Sequence, residues 1–191
     1  MRPITFVSHP TRGRRRHYVE EEDVRIVLDR LPGGLWERLR GVRFNDRGRG
    51  RRCLGYVSRG RDEISLCALP ERVSLAAALF RNQCPGEFGA SRGRRWPELA
   101  VRRFMLYDVL LHELGHLQVI VPKARSSRRK FAHEAFAQRF ADRWRRELWS
   151  RAFDHPDPVH NPPSAEEMRA LCVATYAPRS GVAASSPGNP A

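Results

Sequence analysis

His112, Glu113 and His116 stand as H-E-x-x-H inside the apolar stretch Tyr107–Gln118, YDVLLHELGHLQ. On an α-helix, residues four apart lie one above the other, so both imidazoles can reach a single point in space. Two neutral histidine nitrogens at that spacing supply half of a tetrahedral Zn2+ site. Glu113 directly follows the first histidine and falls to the side of that point. A carboxylate there can take a proton from an activated water without occupying the metal. The spacing therefore points to metal-assisted hydrolysis, with peptide bonds the foremost target.

The pattern could also arise by chance, with ordinary packing or surface histidines. Against that, Leu110, Leu111, Leu114, Gly115 and Leu117 are uncharged in a chain otherwise dense in arginine. The run from Phe104 to Ile120 is apolar nearly all round, as in a helix buried in a domain. Two histidines and a glutamate buried there are costly unless paired or bound to a metal. A catalytic site needs a third protein ligand and an open position. Pro122 stops the first helix, and after the basic segment VPKARSSRR a second helix opens at Lys130. Phe136, Phe140, Trp144 and Leu148 form its expected core stripe. Glu134 lies on an adjoining face near its start and is the preferred third ligand, with His133 its rival.

HELGH followed by EAFAQRFA resembles the zinc-peptidase group called gluzincins, and within it the ImmA/IrrE family, whose second motif is similar to E-x-E-A-N-x-F-A. Aligned on Phe140 and Ala141, Ala137 meets the motif's alanine, Gln138 its amide or acid, and Glu134 its first glutamate. The resemblance spans about residues 98–148. It implies a zinc site of His112, His116 and Glu134, Glu113 as general base, and a regulatory protease acting on a cytoplasmic protein such as a DNA-bound repressor. Two positions depart from the pattern: Phe136 replaces the second glutamate, and Gln138 alters the hydrogen bonding behind the ligands. The metzincin continuation is excluded, because Val119 and Pro122 stand where it needs glycine and histidine. Membrane-embedded relatives are excluded by the lack of a spanning run.

The elements that must position this site read as an α+β domain, zincin-like: a small twisted sheet packed on the HExxH helix, with the Glu134 helix antiparallel to it. At 191 residues the chain suits one domain over 1–176, with 177–191 a Pro/Ser/Gly/Ala-rich disordered tail. Residues 1–18 hold a short strand, ITFVS, and then a basic arm, mobile unless it meets a polyanion. A helix is expected from Glu20, a strand over Val42–Phe44, and a hairpin of Cys53–Ser58 with Glu63–Leu69. Ile64, Ser65, Leu66 and Cys67 are the candidate edge strand that receives a substrate by β-augmentation, with an interior strand the alternative. A helix is expected over Arg72–Gln83, then a Gly/Pro-rich loop whose Glu87, Phe88 and Trp96 could line the cleft. A capping box, Ser164 with Glu167, opens a final helix.

Asp108, one turn before His112, is either a hydrogen-bond partner of a ligand imidazole or a helix residue paired to Arg102 or Arg103. Gln138 joins it as a candidate second-layer partner. Tyr107, His155, His160 and Tyr176 are the candidates for stabilising an oxyanion. Cys53, Cys67, Cys84 and Cys172 show no metal spacing and read as free thiols of a cytoplasmic protein. The formal net charge is +14, almost wholly from arginine. Clusters at Arg12–Arg16, Arg47–Arg52, Arg92–Arg95 and Arg125–Lys130 would contact nucleic acid if they share a face, and otherwise reflect composition. The rival functions are thus a nucleic-acid-associated protein with a structural zinc site, and a partner-binding module without turnover. An intact Glu113 speaks against the second.

Overall fold

The computed structural model describes residues 3–48, 53–58, 60–73, 84–91, 95–119, 127–151 and 153–176. The helix expected over 72–83 falls almost wholly outside these residues, as do arginines 49, 51, 52, 92, 94 and 125 and the tail 177–191. The side chains of Cys172 and Tyr176 lie outside them too.

Alternation of side chains along the strands builds the sheet. In β3 (Gly41–Asn45) and β5 (Glu63–Cys67), Val42, Phe44, Ile64 and Leu66 enter the core. Arg43, Asn45, Glu63 and Ser65 take the opposite face. With β1 (Thr5–Ser8) and β4 (Gly55–Ser58) they form a four-stranded sheet in the order β1-β3-β5-β4. β1, β3 and β5 are parallel, and β4 runs antiparallel at the edge beside β5. β2 (Arg15–Arg16) pairs antiparallel with β6 (Leu69–Pro70).

The amino-terminal segment is therefore no free arm. Thr5–Ser8 extends the sheet, Tyr18 is buried, and Arg15 binds Asp46 and the Ala68 carbonyl. Arg15 and Arg16 are held by carboxylates and a carbonyl of the fold itself, Arg16 pairing with Glu98 at 2.6 Å. Helix α1 (Glu21–Arg30) opens where the Asp23 carboxylate accepts from the Glu20 amide, and it buries Val24, Val27 and Leu28.

The central rod starts after Pro97 as α2 (Glu98–Phe104), continues as a π-helical segment (Met105–Leu110) and ends as α3 (Leu111–Gln118). All six π-wound residues are buried. Helix α4 (Ser127–Ser150) starts one turn earlier than expected. Its contacts with the rod run in opposite order: Asp108 meets Arg145, His112 meets Gln138, and His116 meets Glu134. The two helices are antiparallel. The expected aromatic stripe of α4 is displaced: Phe136 is exposed and Phe140 and Trp144 are half-buried, whereas Ala137, Ala141, Arg145 and Leu148 are buried. The cause is Gly115, where a methyl group would stand 2.9 Å from the Ala137 Cα. Helices this close admit only small residues between them. Helix α5 (Ala165–Tyr176) opens on the expected box, Ser164 Oγ accepting from the Glu167 amide at 3.0 Å and the Glu167 carboxylate from the Ser164 amide at 2.7 Å.

The architecture is α+β, a small sheet with helices, around a core that includes Val42, Phe44, Ile64, Leu106, Leu110 and Leu114. Among the described residues, no helix is long and apolar enough to cross a membrane.

Candidate metal centre

Helical spacing brings the His112 and His116 rings together, and α4 delivers Glu134 to them. His112 Nε2 and His116 Nε2 lie 3.1 Å apart, and Glu134 Oε2 lies 3.3 Å from the first and 3.5 Å from the second. A tetrahedrally held ion with bonds of about 2.0–2.1 Å requires donor atoms about 3.3–3.4 Å apart. The three donors fit that triangle, so the His–His–Glu group can hold a metal ion. The Glu134 side chain is 62% exposed, and all three donors line an open cleft. His133, the rival from sequence, stands outside the cluster.

Glu113 is 7% exposed and points into the same cleft without joining the donors. Burial pushes its carboxyl up to about 8, and the Glu134 carboxylate adds to the effect. Gly55 makes that burial possible. A Cβ there would stand 2.9 Å from Val109 Cγ1 and 3.0 Å from Glu113 Cγ, so only glycine lets β4 lie this close.

A polar relay runs behind His112. Gln138 Nε2 donates to Asp108 Oδ1 at 3.1 Å and to Asp142 Oδ1 at 3.2 Å. Its Oε1 therefore faces His112, and His112 Nδ1 donates to it at 3.2 Å. That bond turns the Nε2 lone pair toward the other donors. Arg145, 4% exposed, closes the relay, donating to Asp108 at 3.0 Å, to Asp142 at 3.0 Å and to Glu87. Burial raises the Asp108 carboxyl above its ordinary range, against the lowering effect of Arg145 and Gln138.

Asp108 thus supports the ligand imidazole through Gln138 and not directly. Its expected partners are engaged elsewhere, Arg102 with Asp23 and Asp157, and Arg103 with Glu167. Glu87 and Phe88 hold the cleft wall through Arg145, whose guanidinium lies 5.0 Å from the Phe88 ring centroid. Arg145 was missed in the sequence, although Glu134, Gln138, Asp142 and Arg145 form a polar stripe at helical spacing.

Three oxyanion candidates are not brought to the cleft. Tyr107 is fully buried, with its hydroxyl 3.2 Å from His160 Nδ1 and accepting from Arg30 at 3.1 Å. His160 lies 3.5 Å from Asp23, and His155 packs edge-on against His160. These residues tie the Pro158–His160 turn to α1 and the rod.

The expected receiving strand is corrected as well. Ile64, Ser65, Leu66 and Cys67 are buried in β5, which is paired to β3 on one side and β4 on the other. Among the described residues β4 is paired on one side only, and Cys53, Leu54, Gly55, Tyr56 and Val57 line the cleft with the metal donors. The cleft encloses about 570 Å³. Cys53, Cys67 and Cys84 are free thiols. No protein family, curated protein or solved structure matches the chain.

Proposed function

We propose that this chain is a zinc-dependent peptidase of zincin architecture, acting on a protein or peptide substrate. The observation that carries the reading is a three-donor triangle of metal-binding dimensions with a buried carboxylate, Glu113, beside it and outside it. A structural site has no use for such a group, whereas hydrolysis needs a base next to its electrophile.

Zinc, when bound, supplies Lewis-acid polarisation of a carbonyl and acidification of water. Glu113 accepts the proton of the attacking water and passes it to the leaving amine. Gln138 holds the His112 ring, and Asp108 with Arg145 holds Gln138. The receiving edge for an extended substrate is β4, which lies along the donors. The resemblance to the ImmA/IrrE family suggests a cytoplasmic, DNA-associated regulatory protein as substrate.

Elemental analysis of the purified chain tests the reading. One zinc per chain is expected in wild type, His133→Ala and Glu113→Gln, and a substoichiometric amount in Glu134→Ala. Casein-type or peptide-library cleavage is expected in wild type and absent in Glu113→Gln. A wild-type chain that takes up no zinc after reconstitution overturns the proposal.

A further inference from the structure

The face of the sheet turned away from the helices carries a second concavity, of about 1040 Å³. Arg12, Arg43, Arg47 and Arg61 line it together with Tyr56 and Ser58 of β4. Two carboxylates share it, and both are already engaged. Glu63 accepts from Arg43 at 2.7 and 3.1 Å, and Asp46 binds Arg15 and the Arg12 backbone amide. Arg12, Arg47 and Arg61 are exposed and make no ion pair among the described residues. The groove therefore presents uncompensated positive charge, which raises the local concentration of acidic ligands.

Tyr56 belongs to both concavities, lining the metal cleft on one side and the arginine groove on the other. Strand alternation turns Gly55 and Val57 of β4 toward the rod and the Tyr56 and Ser58 side chains toward the groove. A chain that leaves the cleft across the edge of β4 passes Tyr56 and enters the groove.

We propose that this groove is a subsite for an acidic polypeptide segment, the Asp/Glu-rich flank of the substrate cleaved at the metal centre. The proposal rests on the peptidase reading. It names a polypeptide and not a nucleic acid because Glu63 and Asp46 are interleaved with the arginines. A polynucleotide brings a charge on every phosphate past those carboxylates. A polypeptide can set neutral side chains against them.

Fluorescence anisotropy on the full chain tests this with three labelled probes: a dodecapeptide with six Asp/Glu residues at one end, the same peptide with lysines in their place, and oligo-dT of twelve nucleotides. The expected result is preferential binding of the acidic peptide, weakened roughly tenfold by the double variant Arg47→Glu/Arg61→Glu and by raised salt. Both arginines are exposed and lie outside the metal centre, so unchanged circular dichroism and zinc uptake are expected of the variant. Equal binding of acidic and basic peptides, or indifference to the double reversal, overturns the proposal. So does oligo-dT that displaces the acidic peptide and shows the same arginine dependence. Zinc content measured on the same samples separates the two readings. Zinc uptake without arginine-dependent peptide binding removes the subsite and leaves the peptidase reading standing. Arginine-dependent binding without zinc uptake removes the peptidase reading and the substrate role with it.

Discussion

Replacing Gly115 by alanine adds one methyl group at the crossing of α3 and α4. Helix propensity alone favours the change by roughly 0.5–1 kcal/mol. Packing opposes it. The new Cβ would stand 2.9 Å from the Ala137 Cα, 3.1 Å from the Ala137 carbonyl oxygen and 3.1 Å from the Phe140 Cβ. None of these atoms can be moved by a rotamer change, and ordinary contact begins at 3.4 Å, so α4 must withdraw by about 0.5 Å. Overpacking of that kind costs about 1–3 kcal/mol, which leaves a net loss on the order of 1–2 kcal/mol. The expected fall in the metal-free melting temperature is about 2–8 °C. His112 and His116 stay on α3 while Glu134 leaves with α4, so the 3.3 and 3.5 Å separations widen and zinc affinity drops about tenfold. Differential scanning calorimetry of the chelated chain and zinc titration against a chromophoric chelator measure the two effects. An alanine variant that melts higher than wild type and binds zinc as tightly would refute the packing argument.

Gln138→Glu removes the amide that donates to Asp108 and Asp142 and puts a third carboxylate among them. Zinc affinity should fall about 10–100-fold, and a variant that binds as tightly as wild type would show the relay to be idle. Glu113 gives a pH signature in the chelated chain. Its folded value of about 8 exceeds the ordinary 4.5, so the folded state holds a proton that the unfolded chain has released. Stability therefore declines as pH rises from 4.5 to 8, by at most about 5 kcal/mol, and Glu113→Gln abolishes that part of the decline. Urea midpoints of the two proteins should diverge steadily across this window; parallel profiles would contradict the assignment.

How much of this was readable from sequence follows the range of the interactions. His112, Glu113 and His116 are fixed by local helical geometry, and Glu134 by phase along a second helix, so a one-dimensional pattern suffices. The identity of the edge strand is not local. β1 and β3 enter the sheet on the far side of β5, and strand order alone moves the free edge from Ile64–Cys67 to Gly55–Ser58. The stripe of α4 misled for a related reason. Large aromatics usually mark a buried face, but Gly115 draws the helices so close that Ala137 and Ala141 take it. Gln138 looked like a departure from the resembled motif. The structure supplies a reason for an amide: its position needs an acceptor toward His112 and two donors toward carboxylates, which no acid provides. Tyr107 and His160 had the right chemistry for an oxyanion partner, yet the fold engages them with each other and with Arg30.

The π-wound segment at Met105–Leu110 sets the angular phase between the two ends of the rod. An α-helix turns about 100° per residue, so a wider turn offsets everything before it relative to everything after. Upstream, Ala100 and Val101 are buried, Phe104 packs edge-on against Phe88 and Trp96, and Arg103 pairs with Glu167. Downstream, His112 and His116 are committed to the cleft. Rewinding the segment as regular α-helix would satisfy one set of contacts only by rotating the other out of place. The segment works as a fixed phase shifter, and one inserted or deleted residue within it would misdirect the histidines while leaving every side chain of the metal centre in the sequence.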